Sequence, residues 1–504
     1  VTRVAVATTS RLAADAARET ADRGGNAVDC ALAAAFVSMN TEPGVCALAG
    51  GAYVSIWAPG EPPVTIDGNV AIPGIGCDLP ASAANIDEVR LAYGGGITTL
   101  VGTGTTAVPG APAAAAAASE RFGSLPWRNL LVPAIRAARE GFPLPAACHY
   151  YLRYSGSDIF GRSADGYTAL HDEEGNLRDV GSTIRVPYLA DTLELLASEG
   201  VQAFYRGEIG RRICHHSEAN GGRLTRSDLA AYRAVTRPAL SVALCDWAIA
   251  TNPPPAIGGA VLAALVTAFA IQPLSSWDEQ GVQRLIEVQR ACLGYRKAKL
   301  DLADDLDAAI AGLLEAASDG SLPFASASTV HTSAVDADGL ACSITASSGY
   351  GSGEMPAETG LWLNNSLGEI ELNRRGPDAA PAGDRLPSNM APTVARNGRR
   401  VLAVGSPGAD RITTAIHQFL VNFLQLGQPL DAAVAAPRLH VHTGGEKPEI
   451  RAEPGLPLPD TDLRVEVAET LNMYFGGVGA ACYDPDSGFS VAADPRREGG
   501  TCEA

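Results

Sequence analysis

"STVHTSAVDADGLACSITASSGYGSG", residues 328–353, holds two runs of strand-forming residues joined by Asp-Ala-Asp-Gly, and a threonine at position 329 opens the first run. Asp338-Gly339 between two such runs predicts a hairpin. A buried strand would gain more from Val or Ile at its first position, although Thr is itself a good strand residue. Thr-x-His therefore reads two ways, as a strand that happens to open on Thr329 or as a position with chemistry, and so short a motif does not decide between them.

Outward from the hairpin the texture changes. On its N-terminal side, after "SDGSLPFASAS", the chain reads as helix for most of its length: two Ala-rich helices between Ser10 and Asn40 broken at "RGGNAVD", helical stretches over 110–140 punctuated by Gly123, Pro126 and Pro133, more helix over 186–235, and one long helical region over 282–318. On its C-terminal side, 370–384 is a Pro/Gly/Ala-rich surface loop, and "VLAVGSPGADRITTAIHQFLVNFLQLGQP" reads as strand, tight turn and helix. Ile412, Ile416, Phe419, Leu420 and Phe423 share one helical face.

Bulk composition bounds the function. A chain of 504 residues with 46% hydrophobic residues can bury a large core, and its formal charge of -18 repels phosphate backbones and anionic lipid headgroups. Nucleic acid and membrane partners are not expected. No run of 18 apolar residues is present, and the first residues, "VTRVAVATTSRLAADAARE", lack the apolar core of an export signal, so a cytoplasmic location is the default. Ten scattered cysteines without a C-x-x-C pair read as reduced core thiols. "CHH" at 214–216 has no second ligand cluster at zinc spacing, and His440 and His442 alternate on a strand, so no metal and no cofactor is expected.

"GSPGAD", residues 405–410, places a tight turn at a helix start, where backbone N–H groups lack intrahelical acceptors. It reads either as an ordinary glycine-rich connection or as an anion-stabilising turn. The whole set of motifs goes further. "RGGNAVDCALAAAF", "LAGGAYV", "AVPGAP", "FGSLPW", "AFYRGEIG", "GGRLTRSDLAAYRAV" and "PPPAIGG", followed by "TVHTSAVDADG", "GLWLNN", "SNMAPT", "GSPGADRITT", "AAPRLH", "FGGVGA" and "ADPRREGG", run almost end to end. In this order they resemble the stations of the gamma-glutamyltranspeptidase family of N-terminal nucleophile hydrolases.

That resemblance implies an α+β fold, the four-layer αββα sandwich, built jointly by two fragments of a chain that cuts itself. The cut would fall between Ser328 and Thr329, giving fragments 1–328 and 329–504 that share one intertwined core and stay together as a heterodimer. Thr329 would then carry a nucleophilic hydroxyl and a free α-amine, whose ordinary pKa of about 7.7 suits a base at neutral pH. By the same carry-over, Gly408 and Ala409 match paired oxyanion donors, and Ser347 matches a second hydroxyl beside the nucleophile, with an ordinary strand serine as its other reading. Ser366, Glu369, Ser388 and Asn389 match the positions that grip the acyl donor.

The match breaks at the donor pocket. Family members carry a carboxylate-clamping arginine where this chain has "IDGNVAIPGIGCDLP", residues 66–80, with Asp78 near its place. "NNSLGE" puts Ser366 for an amide and Glu369 for an aspartate, and Ser388-Asn389-Met390 puts an amide for a hydroxyl. Arg385 or Arg90 reaching in would compensate. The expectation is thus a self-processing threonine hydrolase that transfers an acyl group to water from a small, γ-glutamyl-like or glutaryl-like amide, with standard γ-glutamyl specificity lost. Two alternatives stand beside it: a carbon–carbon bond hydrolase like the family homologues of bacterial alkylproline pathways, and an uncut, non-catalytic binding homologue.

Overall fold

A computed structural model describes residues 3–93, 96–301, 303–319, 329–373, 376, 380–443 and 447–504. Its core is two antiparallel sheets, with strands numbered here in chain order across both. The first runs β13 (Gly500–Glu503), β1 (Val4–Thr8), β7 (Val330–Asp336), β8 (Ala341–Ser347), β2 (Gly51–Trp57), β3 (Val64–Gly68), β4 (Val235–Pro238). The second runs β12 (Gly488–Ala493), β11 (Gly479–Asp484), β10 (Arg400–Gly405), β9 (Thr393–Asn397), β6 (Trp247–Thr251), β5 (Leu240–Leu244). The expected hairpin is β7–β8, paired from Val330–Ala346 to Val335–Ala341, with Gly339 at φ 87° in its turn.

β7 and β10 pack across the sheet interface, as do β7 and β11. Helices α1 (Arg11–Asp22), α2 (Ala27–Thr41), α3 (Ala111–Phe122) and α4 (Trp127–Glu140) lie with the first sheet. Over the second lie α5 (Ile257–Ala270) and α8 (Arg411–Leu420), with α6 (Glu279–Tyr295) and α7 (Leu306–Asp319) packed on α5. The layers are therefore helix, sheet, sheet, helix, the αββα sandwich. Covered on both faces, β7 is buried at every position, which is why "VHTSAVD" shows no in-out alternation.

Between the sheets the side chains are small: Ala5, Ala250, Ala341, Ala403 and Ala481 with Val335, Val394 and Val401. Polar groups among them are paired, as burial requires. His331 lies 2.7 Å from Ser333 Oγ and 3.0 Å from Thr345 Oγ1, and the Ser343 hydroxyl donates to the Val404 carbonyl at 3.0 Å. Burial lowers the His331 pKa to about 3, so this imidazole is a neutral strut.

Helix starts follow the sequence signals. Asn26 accepts from the Val28 and Asp29 N–H groups while Asp29 reaches back to Asn26, a capping box that breaks α1 from α2 as expected. The long helical region expected over 282–318 is helical but interrupted: α6 ends at Tyr295, a π-turn covers Arg296–Leu300, and α7 starts at Leu306, where Asp305 caps the Ala308 N–H. Asp301, Asp304 and Asp305 favour caps and turns over helix interior.

Candidate active site

The hairpin register sets the centre of the site. Val330 faces Ala346, so one step further puts Thr329 level with Ser347, the last residue of β8. Thr329 is 2% exposed. It lines a small cavity of about 20 Å³, room for about one water, together with Ser347, Ser366, Glu369, Ser388, Asn389, Asn69, Val70, Leu372, Pro387 and Met390. Six residues singled out from sequence thus meet at one place. Ser328 lies outside the described residues.

Each wall is held from behind. The 388–390 strip is fixed by the start of α5, whose Ile257 and Gly258 N–H groups both donate to the Ser388 carbonyl, at 3.0 and 2.9 Å. Gly258 is required there, because a Cβ would lie 2.1 Å from the Asn389 carbonyl oxygen. Ser366 follows Asn364 and Asn365, whose amides are committed to backbone: Asn364 Nδ2 donates to Ala49 O and Ala107 O, and Asn365 Oδ1 accepts from Tyr350 N–H at 2.7 Å. The Asn-Asn pair is a scaffold for Ser366 and Glu369.

Glu369 is buried beside Glu371, which accepts a 2.5 Å hydrogen bond from the Tyr350 hydroxyl. Burial first, then the charge of Glu371, pushes the Glu369 carboxyl well above the ordinary glutamate range. Burial also raises Glu371, against the Tyr350 hydrogen bond, and Asp410 adds to the rise. Both shifts favour the neutral carboxyl, and a cation arriving in the cavity would oppose them.

Gly408 and Ala409 do not line this cavity. They form the turn after β10, whose last residue Gly405 packs against the His331 ring, two residues from Thr329. Gly408 has φ 125° and Ala409 φ 70°, so the alanine holds the left-handed conformation that the turn demands. Next comes Asp410. Burial alone would raise its pKa, but Arg411 and then His440 outweigh burial and hold the carboxyl well below its ordinary range. Asp410, His440 and His442 gather ligand-type atoms within 4.8 Å of one another. His440 already meets Asp410 through Nε2 and Thr414 through Nδ1, and Arg411 pairs with Asp410. Asp410, His440 and Thr414 read as a hydrogen-bonded brace for the turn, while His442 Nδ1 is buried without a hydrogen-bond partner among the described residues.

Neither compensating arginine reaches the cavity. Arg385 pairs with Asp67 at 3.4 Å and stacks on Tyr232, while Arg90 is exposed and pairs with Glu88. Asp78 is exposed and lines neither this cavity nor the wider cleft of about 830 Å³ that shares Leu372 and Pro387 with it. Sequence reasoning missed Asn69. Its Nδ2 donates to Leu386 O at 2.7 Å and its carbonyl accepts from the Tyr232 hydroxyl, so it joins the "IDGNV" and "RLPSNM" stretches at the cavity wall. Its place just after β3, within the stretch already singled out, was the available signal. Two further motifs are structural. Arg438 of "AAPRLH" pairs with Asp494 at 2.7 Å, and Arg496 of "ADPRREGG" with Asp494 and Glu453, all buried.

Comparison with known proteins agrees with this architecture. The family model described as Gamma-glutamyltranspeptidase matches residues 13–504. The chain is similar to the glutathione hydrolase proenzyme of Escherichia coli (strain K12), 28% identical over 97% of this chain and 89% of that protein. It is also similar to the Acylase ACY 1 proenzyme of Pseudomonas sp. (strain V22), 27% identical over 98% and 92%. Among solved structures, cephalosporin acylase from Bacillus halodurans shares the fold at a TM-score of 0.80, with 23% identity over 99% of this chain and 96% of that one.

Proposed function

The chain belongs to the gamma-glutamyltranspeptidase family, and on that premise we propose that it matures by cutting itself between Ser328 and Thr329 and then hydrolyses a small acylated substrate through an acyl-Thr329 intermediate. The observation that carries this reading is the meeting of Thr329 with Ser347, Ser366, Glu369, Ser388 and Asn389 around one buried cavity at the start of β7. A strand start braced on both faces holds a nucleophile rigidly.

The freed α-amine takes the proton of the Thr329 hydroxyl as its oxygen attacks the substrate carbonyl. The resemblance assigns the oxyanion to the N–H groups of Gly408 and Ala409, which stand in the turn after β10 and not in the cavity wall, and the amine returns the proton to the leaving nitrogen as the C–N bond breaks. Water then attacks the ester carbonyl, the amine takes its proton, and the acid departs as the Thr329 hydroxyl re-forms. No arginine lines the cavity among the described residues, which supports a donor other than a standard γ-glutamyl group, because a lost bidentate arginine is not imitated by an amide. The leaving group has the 830 Å³ cleft in which to lie. That relatives are named as proenzymes, and one as an acylase, supports both maturation and acyl cleavage.

Denaturing electrophoresis and N-terminal sequencing test this directly. Two bands are expected, the smaller beginning "TVHTS", and Thr329→Ala should give one intact band without hydrolytic activity. A cut elsewhere, or activity in an uncut Thr329→Ala protein, would overturn the assignment of the nucleophile.

A further inference from the structure

Leu439–His442 forms a short strand paired with Glu449–Ala452. Its alternation sends Leu439 and Val441 into an apolar cluster and brings His440 and His442 to the other face, where His440 meets Asp410 at the start of α8. Asp410 and His440 are 3% and 1% exposed. The Thr414 hydroxyl donates to the Arg411 carbonyl at 3.2 Å, so it accepts from His440 at 3.1 Å, and the ring proton is on Nδ1. Nε2 then turns its lone pair toward Asp410 Oδ2 at 3.1 Å, and two buried acceptors so close need positive charge between them. A second ring proton supplies that charge, and so does a metal ion.

His442 separates the two. Its Nδ1 is buried with no hydrogen-bond partner among the described residues, and the three side chains place ligand-type atoms within 4.8 Å of one another. A proton shared by Asp410 and His440 leaves that nitrogen orphaned, whereas an ion gives it a partner. Two ligand atoms about 2.1 Å from one ion, at roughly 90 to 110° to each other, stand about 3.0 to 3.4 Å apart. Asp410 and His440 already have that span, and His442 closes the third side by turning its ring. Each neighbouring guanidinium is matched by a carboxylate, Arg411 by the other oxygen of Asp410 and Arg451 by Glu449.

We propose that Asp410, His440 and His442 bind one divalent transition-metal ion of the zinc type, with Thr414 fixing the His440 tautomer from behind. Asp410 follows Ala409 directly, so the bound ion clamps the turn after β10. The site lies outside the Thr329 cavity and does not depend on the acyl-transfer reading. Spacing along the chain hid it, because Asp410 and His440 are 30 residues apart.

Calorimetric titration of the chelator-treated protein with zinc chloride tests the site. One equivalent is expected to bind with a Kd on the order of 1 µM or tighter, and to raise Tm as any ligand of the folded state does. His442→Ala removes a half-buried ring that holds no side-chain hydrogen bond among the described residues, so the fold should survive it. Zinc should then bind about tenfold more weakly or worse, without the rise in Tm. Asp410→Asn should weaken binding as well, and if that variant does not fold, His442→Ala decides alone. Cys245→Ser removes an exposed thiol and should change neither affinity nor the rise in Tm. The absence of saturable binding in the unsubstituted protein, an unchanged affinity in His442→Ala, or loss of the site with Cys245 would each overturn the proposal.

Discussion

Ala409 sits at φ 70°, where an L-residue with a Cβ is about 1 to 2 kcal/mol less comfortable than in the right-handed region. Glycine would remove that strain and cost about 0.4 to 1 kcal/mol through its freer unfolded chain. Ala409→Gly should therefore raise stability by about 0 to 1.6 kcal/mol, read as a higher Tm. A lowered Tm would show that the turn holds no strain to release. Glu369 allows a second test at this scale, one of sign. Its folded pKa is raised above the ordinary value of 4.5, so the folded state binds a proton that the unfolded state releases, and stability is lost as pH rises from about 4.5 upward. Glu369→Gln abolishes that loss. Compared in a Thr329→Ala background, the Gln variant should gain Tm relative to its parent on going from pH 5 to pH 8. A constant difference would mean that Glu369 ionises normally. Thr329, Ser347, Ser366, Ser388 and Asn389 were legible because each lies inside a contiguous motif. Arg296, which donates to Asn389 from behind the cavity wall, was not, because that contact spans 93 residues and its own neighbourhood read as plain helix.

At the scale of elements, the start of α5 governs the strip that forms one wall of the cavity. Gly258→Ala puts a methyl where the Asn389 carbonyl already lies, so either the helix or the strip must give way. The expected cost is about 1 to 3 kcal/mol of stability, as for an overpacked core, together with a raised KM for any acyl substrate the protein hydrolyses. A variant with wild-type Tm and KM would show that the strip is free to move. The motif "PPPAIGG" was recognisable in sequence, but the reason for its second glycine from the end of the quoted run is a tertiary approach that no local pattern reports. The break between α6 and α7 was missed for a related cause. In sequence, "YRKAKLDLADD" carries apolar residues at helix-like spacing, and only the aspartates mark the end; the π-turn at Arg296–Leu300 leaves no local signal.

At the scale of the molecule, the sheet order interleaves strands from both sides of residue 329. β7 and β8 lie between β1 and β2, and β13 closes the edge on β1. Fragments 1–328 and 329–504 should co-elute in size-exclusion chromatography and separate only in denaturant. Separation in buffer would contradict the sheet order. The αββα class was legible from the order of motifs along the chain. The neighbour relations were not, since Thr8 and Thr332, whose hydroxyls meet at 3.0 Å, are 324 residues apart.

The pairing of Val4 with Ala504, N–H to carbonyl in both directions at 2.8 and 2.9 Å, brings the two ends of the described chain side by side. Topologically the described chain closes on itself at Val4 and Ala504, and such a join can be moved without changing the order of strands. Joining the present ends and opening the ring before Thr329 would leave both sheets as they are. Such a circular permutant would begin with the threonine, so its amine would come from where synthesis starts and not from a peptide bond the protein must break.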